Sequence, residues 1–332
     1  MFAMNRTIKD VGERTLLKMF EGLVDAGDLP FNDDAVAYPL GNNLSLVINI
    51  DTFVAKTDAP PGMTPFQMGA KTTAMAISDL AAKGVQPQFT IASGAFPSDF
   101  EVQQTVEIVQ GVKETSNFYG AKFLGGDTNE ADDIILSVVS AGVIDKNKLI
   151  KRNSAQVGDL LFTTGEFGLT GAGFKVFLDK YEATKKQREL FRQAIYSPKA
   201  RLLEGKILAE FGKITSCIDS SDGLAWCLVE ILRGKTEQGV VIENIPINEE
   251  VIQFSKTNSI NEFELALYAG EEFELVFTVN PQDLDNLLDY LDKKKITIYP
   301  LGKIIPDSKE KILLQTTEKT IEIQPKGWEH FK

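Results

Sequence analysis

Histidine is nearly missing from this chain: His330 is the only one in 332 residues. That excludes a mechanism built on an internal histidine base, the Ser-His and Cys-His triads, and metal sites made of several imidazoles. Cysteine is scarce as well. Cys217 and Cys227 can form neither a disulfide framework nor a four-cysteine zinc site, and they are expected in a reduced core as small apolar residues. Basic residues are in deficit, 35 Lys and Arg against 47 Asp and Glu, for a net charge of -12. Such a surface repels phosphate backbones, so no nucleic-acid partner is expected. No stretch approaches the ~20 continuous apolar residues of a membrane helix, and the first ten residues hold no apolar run fit for a secretory leader. No membrane partner is expected, and the cytoplasm is the expected compartment.

What remains is a globular composition, 43% hydrophobic and 25% charged, in a chain long enough for about two domains. Helical spacing predicts a first helix over Asp10–Val24 and a well-buried, Ala-rich helix over Thr64–Lys83, closed by Gly84. Strands are expected at 44–50, 87–96, 121–124 and 133–144, with an amphipathic helix over 100–119. The polar, basic segment Asp145–Ser154 marks the expected boundary between residues 1–148 and 149–332. Beyond it a strand is expected at 159–164, then a glycine-rich turn and helices to about Phe211. Strands at 214–218, 239–243 and 274–279 follow, with helices over 224–232 and 281–294 and three short β runs within 296–323. Strands and helices interleave in both halves, so the class is mixed α/β (α+β) in two domains.

The run Gly168-Leu-Thr-Gly-Ala-Gly173-Phe174-Lys175 follows a strand and opens a helix, as a P-loop does. A P-loop places Lys directly after its last glycine so that one side chain reaches the phosphates. Here Phe174 intervenes, and the segment reads better as a tight turn into a helix.

A stronger signal is a set of aspartates at strand ends and turns: Asp33-Asp34, Asp51, Asp79, Asp127 in Gly125-Gly-Asp-Thr128, and Asp219 with Asp222 in Ile218-Asp-Ser-Ser-Asp-Gly-Leu224. Singly, each is explained by a turn or a cap. Asp79 is different. It sits among Ala74-Met-Ala-Ile-Ser78 and Leu80-Ala-Ala82 with no Lys or Arg one turn before it, and a buried carboxylate needs a cation. Asp127 follows two glycines that strip side chains away, as close approach to a bulky anion requires. Together these carboxylates are hard oxygen donors of the kind Mg²⁺ takes, with phosphates completing its shell. The chemistry they suit is phosphoryl transfer, where positioning and charge neutralisation do most of the work. An acceptor that is itself a phosphate, with a second pKa of about 6, needs no general base.

The motifs Asn32-Asp-Asp-Ala35, Ile50-Asp-Thr52, Ile77-Ser-Asp-Leu-Ala-Ala-Lys-Gly84, Leu124-Gly-Gly-Asp-Thr128, Lys151-Arg152, Ile218–Leu224, Gly270-Glu-Glu-Phe-Glu-Leu275 and Lys326-Gly-Trp-Glu-His-Phe331 occur in an order that resembles the thiamine-monophosphate kinase family. That family lies within the aminoimidazole-ribonucleotide-synthetase-like ATP-binding superfamily. The resemblance implies an N-terminal α/β domain whose sheet helps form a homodimer, followed by a C-terminal α/β domain. It also implies Mg²⁺-dependent, direct transfer of the ATP γ-phosphate to thiamine monophosphate, giving thiamine diphosphate. By resemblance, Asp34, Asn49, Ile50, Asp51, Asp79, Asp127, Asp219 and Asp222 hold several Mg²⁺ ions, with Asp127 and Asp222 catalytic. Gly126, Arg152 and Ser221 contact ATP, and Asp58, Glu271 and Trp328 contact the thiamine compound. Asp58 stands where many bacterial members carry a histidine. Two other readings remain open: another synthetase of the superfamily, such as aminoimidazole ribonucleotide synthetase, and a nucleotide-binding regulator without catalysis.

Overall fold

The structure, a computed structural model, describes residues 7–307, 311–316 and 319–331. Most of the segment read for a leader, residues 1–6, lies outside the described residues, as do parts of the three closing β runs at 308–310 and 317–318.

The first half opens with two short helices, α1 (Ile8–Val11) and α2 (Glu13–Phe20). The single helix expected here is broken at Gly12, whose φ of 73° lies where glycine is favoured. Five strands then form one sheet: β1 (Val36–Gly41), β2 (Leu44–Val54), β3 (Phe89–Phe96), β4 (Lys122–Glu130) and β5 (Ile135–Asp145). Their order is β1-β2-β5-β3-β4, antiparallel except for the β3–β4 pair. Between β2 and β3 lie α3 (Ala55–Asp58) and α4 (Pro65–Ala82), and between β3 and β4 lies α5 (Val102–Phe118). Helix α4 starts where Thr64 and Gln67 form a capping box ahead of Pro65, a combination that satisfies exposed N–H groups at a helix start.

α4 and α5 cover one face of this sheet. Ala76 of α4, Val112 of α5 and Val138 of β5 pack together with Ala92 of β3. The other face is open, and Val36, Tyr38, Ile50, Ile91 and Leu124 are exposed there. β1 was not expected from the sequence, β2 runs past Asp51 to Val54, and β4 extends through both glycines to Glu130.

The second half carries seven strands: β6 (Leu160–Thr163), β7 (Ile214–Asp219), β8 (Gln238–Ile242), β9 (Leu275–Val279), β10 (Tyr299–Pro306), β11 (Ile312–Gln315) and β12 (Thr320–Glu322). They lie in the order β12-β11-β8-β10-β6-β9-β7. The helices are α6 (Leu169–Phe177), α7 (Lys185–Tyr196), α8 (Leu202–Phe211), α9 (Leu224–Ile231), α10 (Glu249–Asn258), α11 (Glu262–Tyr268) and α12 (Leu284–Lys294). α10 and α11 occupy a stretch for which the sequence predicts no element. The fold class is mixed α/β, as expected.

α4 belongs to both halves. Ile77, Ala81 and Ala82 share one core with Leu202, Leu208 and Phe277 of the second half. A Cβ on Gly205 of α8 would lie 2.0 Å from the Ala81 carbonyl oxygen, so glycine there lets the two helices touch. The C-terminal end of α4, with Asp79, is thereby wedged between the two sheets.

Candidate active site

Four elements bring carboxylates to that wedge. Asp34 comes from the turn before β1, Asp51 from β2, Asp79 from α4 and Asp219 from the end of β7. Oxygens of Asp34, Asp79 and Asp219 all lie within 4.8 Å of one another. Asn49 and Asp51 share a face of β2, as residues two apart do, and the Asn49 amide donates to both Asp51 and Asp79. The Ser78 hydroxyl donates to Asp219 at 2.6 Å.

Burial raises the pKa of Asp51, and burial reinforced by Asp219, Asp51 and Asp34 pushes Asp79 well up. Asp219 is pushed up to about 8, chiefly by burial and then by Asp34. Asp34 is also raised by burial, although Lys83 and Arg152 pull it back. Ionised together, carboxylates this close repel one another unless a cation lies between them. The donor set is wholly oxygen, without imidazole or thiolate, and suits a hard divalent ion such as Mg²⁺.

Asp222 lies at the edge of the cluster. Its carboxyl is pushed up to about 6, first by burial and then by Glu13. A cavity of about 130 Å³ opens here against α2, lined by Leu17, Phe31, Arg152, Ser221, Asp222 and Trp226. Arg152 donates to Glu230 at 2.6 Å and to Asp34 at 3.3 Å. The cavity rim is fastened by the two ends of the described chain. Arg14 of α2 stacks 3.2 Å above the Trp226 ring, donates to the Trp328 carbonyl and pairs with Glu329. Trp328 N–H donates to the Asp222 carbonyl, and His330 N–H donates to Glu13.

Glu271 is held beside the same turn. Its N–H donates to the Ser221 carbonyl at 2.7 Å, its φ is 67°, and its carboxylate pairs with Lys71 at 2.7 Å. The Asp58 carboxylate accepts from Val54 N–H, while the Asp58 carbonyl accepts from Lys71. Asp58 therefore adjoins the Glu271 site through its backbone. Trp328 is half exposed and stands edge-on to His330.

The structure thus gathers Asp34, Asn49, Asp51, Asp79, Asp219 and Asp222, with Arg152 and Ser221 beside them; Glu271 is bonded to Ser221, Trp328 to Asp222, and Asp58 meets Glu271 through Lys71. Two expected ligands stand apart. Ile50 alternates with Asn49 and Asp51, so its side chain lies exposed on the open face and only its backbone carbonyl is left as a donor. Asp127 pairs with Ser93, which pairs with Ser137, which pairs with Thr52. That row lies on the open face, opposite the row of Asp51, Val138, Ala92 and Gly126. Within one chain Asp127 is therefore exposed and away from the cluster. Gly126 has a packing reason of its own: a Cβ there would sit 1.5 Å from the Ala92 carbonyl oxygen.

The cation missing before Asp79 lies one turn after it. Lys83, fully buried, pairs with Asp33 at 2.6 Å and Asp34 at 2.8 Å. The glycine-rich turn at Gly168 is closed to phosphate, because Glu272 accepts from the N–H groups of Gly168 and Thr170 at the start of α6.

The family described as AIR synthase related protein, N-terminal domain, matches residues 32–144, and AIR synthase related protein, C-terminal domain, matches residues 156–315. A thiamine-monophosphate kinase of Nitrosopumilus maritimus is 33% identical over 91% of this chain and 93% of that protein. One of Pyrococcus horikoshii is 34% identical over 93% of this chain and 90% of its own length. Among solved structures, tt0281 from Thermus thermophilus has a TM-score of 0.83 at 29% identity, covering 93% of this chain and 98% of that one. AaThiL complexed with AMPPCP and TMP has a TM-score of 0.84 over 99% of this chain and 100% of that one. At 22% identity it bears on the fold alone. On these relatives, this chain belongs to the thiamine-monophosphate kinase family.

Proposed function

We propose that this chain transfers the γ-phosphate of ATP directly to thiamine monophosphate, giving thiamine diphosphate. The observation that carries the reading is the set of buried carboxylates between the two sheets, in a chain one-third identical to thiamine-monophosphate kinases over nine-tenths of its length. Mg²⁺ fits the donor set: Asp34, Asn49, Asp51, Asp79, Asp219 and Asp222 would hold several ions, and at Ile50 the backbone carbonyl is the oxygen that could serve. Bound there, the ions would neutralise the charge that two phosphate groups bring together.

The chain's own groups account for the rest. Arg152 and Ser221 line the cavity beside the carboxylates and suit the ATP phosphates. Glu271, Trp328 and the Asp58 backbone suit the thiamine compound, an aromatic face and a carboxylate being matched to its rings. The acceptor phosphate, largely ionised at pH 7 with a second pKa near 6, takes no base from the protein.

The open face of the first sheet, with Val36, Tyr38, Ile50, Ile91 and Leu124 exposed, supports a homodimer formed by apposing two such faces. Asp127 and Gly126 lie at its edge, so their parts in metal and ATP binding belong to that dimer and not to the isolated chain. Residues 1–148 and 149–332 are proposed as the two domains, the five-stranded sheet lying in the first and the seven-stranded sheet in the second. The cytoplasm suits two unpaired, buried thiols.

The test is turnover with Mg-ATP and thiamine monophosphate, followed by chromatographic detection of thiamine diphosphate. ATP consumption with an aminoimidazole precursor alone would favour the synthetase reading, and ATP binding without product would favour the regulator.

A further inference from the structure

Lys71 is among the largest fully buried side chains of the molecule, 1% exposed, and no sequence motif singled it out. It stands on α4 and reaches across to the second half, where its ammonium lies 2.7 and 2.8 Å from the two carboxylate oxygens of Glu271 and 3.1 Å from the Asp58 carbonyl. An ammonium has three protons, and three acceptors surround this one. The Phe53 ring lies 6.0 Å away, so the pair is backed by protein on that side. Glu271 is 23% exposed and has its remaining lone pairs to offer on the open side.

Glu271 is also rigidly tied to the acidic cluster. Its N–H is bonded to Ser221, and a Cβ on the preceding Gly270 would lie 2.3 Å from the Ser221 carbonyl oxygen. Along α4, Lys71 precedes Ser78, the partner of Asp219, by seven residues. At 1.5 Å per residue that is about 10 Å, roughly the reach from the phosphate of a phosphorylated two-ring compound to its far ring. A lone carboxylate at that distance would attract the fixed positive charge of a thiazolium. One already matched by a buried ammonium has little net charge left, and it recognises donors by geometry instead.

We propose that Lys71 is a positioning residue that fixes Glu271 as a hydrogen-bond acceptor for the ring amino group of the thiamine compound, and not as a counter-ion to its thiazolium. The proposal rests on the reading that Glu271 touches this substrate.

The experiment compares steady-state kinetics and thermal melting of the full-length protein with Lys71→Met, Lys71→Arg, Glu271→Gln and the double variant Lys71→Met/Glu271→Gln. The substrates are thiamine monophosphate and its oxy analogue, in which the ring amino group is replaced by oxygen. Losing an aligned bond to a charged acceptor is expected to raise KM for thiamine monophosphate about tenfold or more in Lys71→Met, with KM for ATP within about twofold. Lys71→Arg should recover most of the loss, and Lys71→Met should add nothing in the Glu271→Gln background. The unaltered protein should favour the amino compound over the oxy analogue by at least about tenfold, and both single variants that break the pair should lose that preference.

Glu271→Gln with unchanged KM for thiamine monophosphate would overturn the placement of Glu271 at the substrate. If Glu271→Gln raises that KM but Lys71→Met does not, or shifts both KM values alike with a lowered melting point and no rescue by arginine, Lys71 is merely structural. Equal use of the two substrates by the unaltered protein would overturn the acceptor role.

Discussion

Two sets of buried or half-buried carboxylates are treated oppositely in this molecule. Glu230 is held by Arg152 and Arg233, Glu271 by Lys71, and Glu274 by Arg201 with help from the Thr164 hydroxyl. Lys83 and Arg152 reach Asp34, but none of the ion pairs among the described residues reaches Asp51, Asp79 or Asp219. A buried charge left alone is far more costly than a paired one. Glu230 and Glu274 are therefore finished pieces of the framework, and Glu271 is neutralised within it while keeping lone pairs free, whereas Asp51, Asp79 and Asp219 are complete only when the protein binds something positive. That contrast separates architecture from chemistry more cleanly than either burial or proximity does.

The contrast is most severely tested at Asp79. Asp79→Asn should reduce turnover by at least about 10²-fold, the usual loss when a group that stabilises transferring charge is removed. The metal-free variant should be more stable than the metal-free parent by on the order of 1 kcal/mol, read as a higher melting temperature, because one repelling carboxyl has gone. Lower melting without metal would place Asp79 with the framework carboxylates.

A smaller effect concerns pH. Asp219 and Asp222, pushed up to about 8 and about 6, bind protons more tightly in the folded chain than at the unfolded value of about 3.9. Their contribution to stability is whole below about pH 4 and drains away as pH rises through the folded values. Thermal melting in EDTA should accordingly fall between about pH 5 and pH 8, and Mg²⁺ added at pH 8 should restore it. A flat profile in EDTA would mean that the cluster is already compensated.

The smallest effect belongs to the paired set. Glu274→Gln should lower stability by about 1–2 kcal/mol, a buried-pair loss discounted because Arg201 is 35% exposed, with kcat within about twofold. A collapse of kcat would instead draw Glu274 into the chemistry.

Much of this was readable in advance, for identifiable reasons. The apolar run around Asp79 declares a buried carboxylate, because alanines on every side leave no solvated face. The Ser-Asp turns at Asp219 and Asp222 follow a strand and precede a helix, as the structure has them. The counter-cations were harder to see. Lys83 lies four residues after Asp79, yet it pairs with Asp33 and Asp34 from the turn before β1, a contact only tertiary folding creates. Lys71 looks like an ordinary helix lysine until α4 is seen sandwiched on both sides.

Asp127 illustrates a different difficulty. Gly125 and Gly126 break up the strand pattern, so β4 was expected to stop at Leu124. In the structure it continues because glycine lets it approach β3 at Ala92. Once the strand continues, alternation sends Asp127 to the face away from its companions, which no spacing rule applied to a loop could have foretold.

The clasp of Arg14 on Trp226, Trp328 and Glu329 makes distant parts of the polypeptide act as a single hinge pin. Trimming the opening helix would release the tail, and trimming the tail would release the opening helix; either cut would loosen the same wall of the cavity. Two deletions, one removing residues 7–20 and one removing residues 326–331, should therefore produce one shared defect.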